Sequence, residues 1–133
     1  MFLIALVSSV LAGCKGVATV YEVNSTAAPL ESIRARVTEI IQRIGDEHAI
    51  TPPHSINEQI FIILRKHGED GGYTGIYALE LNGIVRVHVS DWPPGGGPGI
   101  TRRIRFEAQN QLKDAFGDRN VVVRNTERFT QEK

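Results

Sequence analysis

The chain has a single cysteine, a single tryptophan and a single methionine in 133 residues. One thiol cannot close an internal disulfide, so the fold is not a disulfide scaffold. An excess of either charge is also missing, because fifteen Lys and Arg balance fifteen Asp and Glu. That balance argues against strong attraction to nucleic acid or to an anionic membrane face. No stretch reaches the roughly 18 apolar residues that a membrane-spanning helix needs. Internal repeats and heptads are absent as well. What is present is ordinary for one globular domain: 41% of the residues are hydrophobic, enough to bury a core at this length without staples.

Catalytic motifs are equally scarce. His48, His54, His67 and His88 stand at spacings of six, thirteen and twenty-one, and none forms a His-x-x-x-His or His-x-His pair, so no metal site and no cofactor is expected. The serines lack a Gly-x-Ser-x-Gly setting. Glu69-Asp70-Gly71-Gly72 lacks the ligand spacing of a calcium loop and reads as a solvated turn. The glycines from 95 to 99 are followed by no Lys-Ser or Lys-Thr, and Pro93, Pro94 and Pro98 in the stretch 92–99 remove amide donors that a phosphate loop would need.

The lone cysteine has a particular setting. Thirteen residues without a charged side chain precede it. Residues 2 to 12 form an apolar run of signal-peptide length, too short to span a membrane. Leu11-Ala12-Gly13-Cys14 then resembles the lipobox of bacterial lipoproteins. In that family the thiol is diacylated, the chain is cut just before it, and the new amine is usually acylated. The resemblance implies that residues 1–13 are a signal peptide and that Cys14 is the lipidated first residue of the mature chain. Several acyl chains anchor stably where one is marginal, since each buried methylene contributes about 0.8 kcal/mol. Lys15 follows the cysteine where Asp would imply retention at the inner membrane, so the resemblance implies the periplasmic face of the outer membrane. It also removes Cys14 as a nucleophile.

Residues 14–26 read as a lipid-anchored tether. The dense β-branched residues and Tyr21 between 17 and 23 leave a strand equally open there. A single domain is expected over residues 27–125, with 126–133 a polar tail. Leu30, Ile33, Val37, Ile40, Ile41 and Ile44 repeat at three and four, which predicts a helix from about 29 to 47, with Pro29 in its first turn. For residues 55 to 67, Ser55 and Glu58 suit a helix cap, but the unbroken apolar run Ile60-Phe61-Ile62-Ile63-Leu64 suits a strand buried on both faces, and a strand is expected.

Asn82-Gly83 between two alternating runs predicts a hairpin. A two-residue loop would set Tyr77 and Leu79 opposite in face to Val85 and Val87. A three-residue loop bulged at Gly83 would bring all four onto the core face, and that register is expected. A second helix is predicted over about 101–116 with Ile104, Ala108, Leu112, Ala115 and Phe116 as its stripe and Gly117 as its stop. Phe106 lies off that stripe, which would also suit a short strand over 100–106 and a later helix start. A last strand is expected at 121–124. The sum is an α+β fold: a mainly antiparallel sheet of about four strands with two helices packed on one face.

These features predict a non-enzymatic, lipid-anchored envelope lipoprotein that binds or positions another envelope component, protein or glycan. Trp92, at the mouth of a proline- and glycine-rich loop, and Arg102, Arg103 and Arg105 after it are the expected contact residues, since Trp and Arg are enriched at binding hot spots. Trp92 folding back over the sheet end is the competing reading. The alternative function is a small-ligand or glycan-binding periplasmic domain, or a weak hydrolase, in which the region 92–105 works with His88 and Asp91.

Overall fold

Among the described residues of the computed structural model, five strands and two helices run β1 (Val17–Val23), α1 (Leu30–Glu47), β2 (Ile60–His67), β3 (Tyr73–Leu81), β4 (Ile84–Trp92), α2 (Thr101–Phe116), a 3-10 turn (Asp118–Asn120) and β5 (Val121–Thr126). The structure describes residues 17–26, 28–50, 59–69, 71–92 and 99–126. The strands form one sheet in the order β2-β3-β4-β1-β5, antiparallel at every pairing. Both helices contribute buried stripes to one core on one face of this sheet. The expected α+β layer is therefore present, with five strands rather than about four.

The fifth strand is β1. Of the two readings open for residues 17 to 23, the structure shows the strand. β1 lies between β4 and β5, with Val23 opposite Val85 on one side and Val121 on the other. β1 is hydrogen-bonded along both edges, and its run of β-branched and small residues suits a central strand. Thr19, Tyr21 and Val23 point to the helices, and Ala18 and Val20 on the opposite face are buried too.

Helix α1 buries Ile33, Val37, Ile40, Ile41 and Ile44. Its end is made by backbone bonds: the amide of Ile50 donates to the Gly45 carbonyl at 2.8 Å and that of Ala49 to the Asp46 carbonyl at 3.4 Å. This six-to-one and five-to-two pairing requires a left-handed residue between, and Ala49 takes that place at φ 55°. Gly45 has another task. A Cβ there would sit 2.5 Å from Leu64 Cδ1, so its bare backbone lets α1 lie close on β2. Helix α2 buries Thr101, Ile104, Ala108 and Leu112. Two hydrogen bonds fix it to the sheet: Tyr21 Oη donates to the Arg105 carbonyl at 2.9 Å, and the buried Thr74 and Thr101 hydroxyls meet at 2.8 Å. Phe106 sits within this helix, 67% exposed, so the strand alternative for 100–106 is not what forms.

The hairpin corrects the expected register. Leu81 pairs with Ile84, Leu79 with Arg86 and Tyr77 with His88, so the loop has two residues. Asn82 and Gly83 both have positive φ, 55° and 79°, the combination that a type I′ turn requires and that Asn-Gly supplies most readily. The faces of β3 are accordingly exchanged relative to the expectation. Thr74, Ile76 and Ala78 lie under the helices with Val85, Val87 and Val89. Tyr77 and Leu79 lie on the face that no helix among the described residues covers.

Candidate functional site

Pairing across β2, β3 and β4 sets which side chains meet on the helix-free face. Arg65 is opposite Gly75, and His67 opposite Tyr73. Gly75 is in turn opposite Ser90, and Tyr77 opposite His88. A hollow of about 260 Å³ opens over these positions. Its walls are apolar at Ile60, Ile63 and Leu79 and aromatic at Tyr73 and Tyr77; Gly75 lies in its floor, and Arg65 and Ser90 supply polar groups.

The aromatic groups are held by their neighbours. The Arg65 guanidinium lies 5.0 Å from the centre of the Tyr73 ring, a cation–π contact, and His67 meets the same ring edge-on at 5.8 Å. Tyr77 stacks on His88 with centroids 4.7 Å apart and planes 14° from parallel. Burial, with a smaller contribution from Tyr73, pushes the Tyr77 phenol up to about 12, so it stays a neutral hydroxyl. Burial also pushes His88 down to about 4, helped by Arg86 and opposed by Glu22. Both His88 ring nitrogens are buried with no hydrogen-bond partner among the described residues. The other half of the face, over β4, β1 and β5, is a charged ladder in which Glu22 receives Arg86 at 3.1 Å and Arg124 at 3.4 Å.

The residues expected to form the contact surface are placed differently. Trp92 ends β4, its backbone paired with Tyr73. Arg102 and Arg103 are exposed in the first turn of α2, which the Thr74–Thr101 bond holds over the same end of the sheet. Arg105 is half-buried, its carbonyl engaged by Tyr21 and its Nε buried without a partner among the described residues. Arg102 and Arg103 thus belong to the end of the domain where β4 closes at Trp92. Alternation along β4 puts His88 on the free face and Asp91 on the helix face, so the pair that a hydrolytic reading needs does not converge. Cys14, residues 1–13, His54, the loop 93–98 and residues 127–133 lie outside the described residues.

Sequence spacing gave no hint of one further cluster. His48, just past α1, and Glu107 of α2 meet at 3.0 Å, and with Glu47 they place one donor atom each within 4.8 Å of one another. Lys66 Nζ donates to the His48 carbonyl at 2.9 Å. With its Nε2 donating to Glu107, His48 joins the two helices, and Lys66 ties that corner to β2.

The residues of the hollow were missed because they belong to three strands and only the observed register gathers them. The Asn-Gly turn was the available signal, since its two-residue form alone places Tyr77 and Leu79 on the free face. Comparison with protein-family models finds no match, and comparison with curated proteins finds none either. Among the described residues, no helix is long and apolar enough to cross a membrane.

Proposed function

We propose that the chain is a lipid-anchored domain of the bacterial outer membrane, without catalytic activity, that holds another envelope component on the helix-free face of its sheet. The observation that supports this reading is the hollow itself. Among the described residues the helices cover one side of the sheet, and tyrosines and aliphatic side chains around a recess on the other present concave apolar surface with a few polar groups, the usual make-up of a binding site. The Leu11-Ala12-Gly13-Cys14 motif supports the anchor, and Lys15 supports the outer membrane.

The two parts have a geometric consequence. Lys15 and Gly16 alone separate Cys14 from β1, and three residues of extended chain reach at most about 11 Å. With lipid on Cys14, the end of the sheet where Val17 pairs with Asp91 stays beside the bilayer. Trp92, Arg102 and Arg103 belong to that end and become membrane-proximal. The turn at Asn82 and Gly83 then points away, about 30 Å off at the far end of β4, and the hollow is open to the periplasm from the side.

A photo-crosslinking residue at position 79 in intact cells tests the binding face, with position 42 on the exposed side of α1 as the control. Capture of one discrete envelope component from 79 and not from 42 is expected; equal capture from both, or none from either, overturns the reading. Cys14→Ser should give an unprocessed or soluble chain, and membrane fractionation like the wild type would refute the anchor.

A further inference from the structure

Gly75 is the third residue of a nine-residue strand and is paired on both sides, where glycine weakens pairing and a β-branched residue would be favoured. Nothing in the fold requires it. Its φ is not in the left-handed region. A Cβ would meet Leu64 O at 3.6 Å, Arg65 Cγ at 3.8 Å and Tyr73 Cε1 at 3.9 Å, all ordinary contacts. Gly45 is different, because there a Cβ would collide with Leu64. What the missing side chain does at 75 is keep a gap between Tyr73 and Tyr77, the same-face neighbours two residues before and after it. A side chain at that position would project into the hollow.

We infer that this gap is a ligand site for a flat ring that carries a carboxylate. The inference rests on the helix-free face being the working surface. The ring is specified by shape and lining. The hollow, at about 260 Å³, exceeds the roughly 150 Å³ void that takes a benzene ring, so one ring or two fused rings have room. Tyrosine rings on either side offer edge and face contacts, and Ile63 and Leu79 offer methyl groups. The acid group is specified by charge. Among the described residues, Arg65 is the one charged residue in the lining, and no carboxylate lines it. Among the described residues no ion pair involves Arg65; its guanidinium lies over the Tyr73 ring. A guanidinium presents paired donors whose geometry matches a carboxylate. Ser90, across Gly75 on β4, offers a hydroxyl to the same bound ligand.

The test compares 2-naphthoate with 2-naphthamide, which has the same shape and no charge. Titration calorimetry uses the full chain in phosphatidylcholine–phosphatidylethanolamine nanodiscs, with empty discs subtracted. The wild type should bind the acid at least about fivefold more tightly than the amide. Arg65→Gln should bring the two within twofold by weakening the acid alone. Gly75→Val should lose both, and Gly75→Ala should weaken both, with melting temperatures no lower than the wild type in either variant. Equal binding of acid and amide by the wild type, no binding of either, or unchanged binding in Gly75→Val overturns the proposal. Discrete capture from position 79 together with no naphthoate binding would refute the ligand class and leave the binding face standing. Naphthoate binding without capture would do the reverse.

Discussion

Replacing His88 with phenylalanine should raise the stability of the chain at neutral pH and flatten its response to acid. The ring stacks on Tyr77 at 4.7 Å, and phenylalanine preserves that stack. Neither ring nitrogen has a partner among the described residues, and a buried unsatisfied polar group costs about 1–3 kcal/mol. The acid response follows from the ionisation. Burial first, and Arg86 second, hold His88 at about 4 in the folded chain against 6.5 for the free side chain. Glu22 pulls the other way but already engages Arg86 and Arg124. Between those two values the unfolded chain binds a proton that the folded chain refuses, so stability falls as pH falls through 6.5. From pH 7 to 4.5 the loss from this one group amounts to about 2.5 kcal/mol, a sizeable part of the 5–15 kcal/mol that holds a typical domain. Urea unfolding of the full chain, followed by far-ultraviolet circular dichroism at pH 7.0, 6.0, 5.0 and 4.5, measures it. His88→Phe should gain about 1 kcal/mol at pH 7, and the gap between variant and wild type should widen by about 2 kcal/mol at pH 4.5. Taking the difference between the two proteins removes the contribution of every other titrating group. Two curves that run parallel within about 0.5 kcal/mol would refute the account of His88 as a buried, neutral and unpartnered ring.

Ala49 holds the left-handed position that closes α1, at φ 55°, where a Cβ costs about 1 kcal/mol. Ala49→Gly should therefore stabilise the chain by about 0.5–1 kcal/mol, read as a higher urea midpoint at unchanged slope, and a lower midpoint would count against this helix end. Gly45→Ala should destabilise by about 1–2 kcal/mol, because the new methyl meets Leu64 Cδ1 at 2.5 Å and overpacking outweighs the better helix propensity. Leu64→Val in the same chain should return part of that loss, and strictly additive effects would show that the two positions do not touch.

The helices and β2 were readable because their signals are local. Ile33, Val37, Ile40, Ile41 and Ile44 declare a stripe within one segment, and all are buried where the stripe predicts. The apolar run in β2 was equally sound evidence. Ile62 and Leu64 face the helices, while Ile63 faces the hollow and is buried as well, so a strand apolar on both sides is the physical result. The place of β1 was not readable. Its pairing with β4 joins residues nearly seventy positions apart, and no local pattern specifies which strands a central strand separates. The polarity of β3 failed for a different reason. Turn chemistry and hydrophobicity disagreed there, and the larger residues Tyr77 and Leu79 were assigned to the core against the Asn-Gly turn. The turn decided the register, because both of its positive-φ positions are met at no strain only in the two-residue loop.

That disagreement is itself informative about function. Under the helices, β3 presents Thr74, Ile76 and Ala78, side chains small enough for α2 to approach until Thr101 bonds Thr74 at 2.8 Å. On its other side it presents Tyr73, Gly75, Tyr77 and Leu79. A strand under selection for the core alone would place its large residues inward and polar ones outward. Here the two tyrosine rings stand on the side that no helix among the described residues covers, with a glycine between them that the backbone does not need. Sequence reasoning that sends big apolar groups inward misassigns a strand whose outer face has its own binding partner to satisfy. Exchanging the two sides tests this directly. Tyr77→Thr and Leu79→Thr, which restore the ordinary pattern on the free face, should cost little stability and abolish capture from a crosslinker moved to position 63. If the double variant instead unfolds the chain, these two side chains serve the fold, and their outward placement does not argue for a partner.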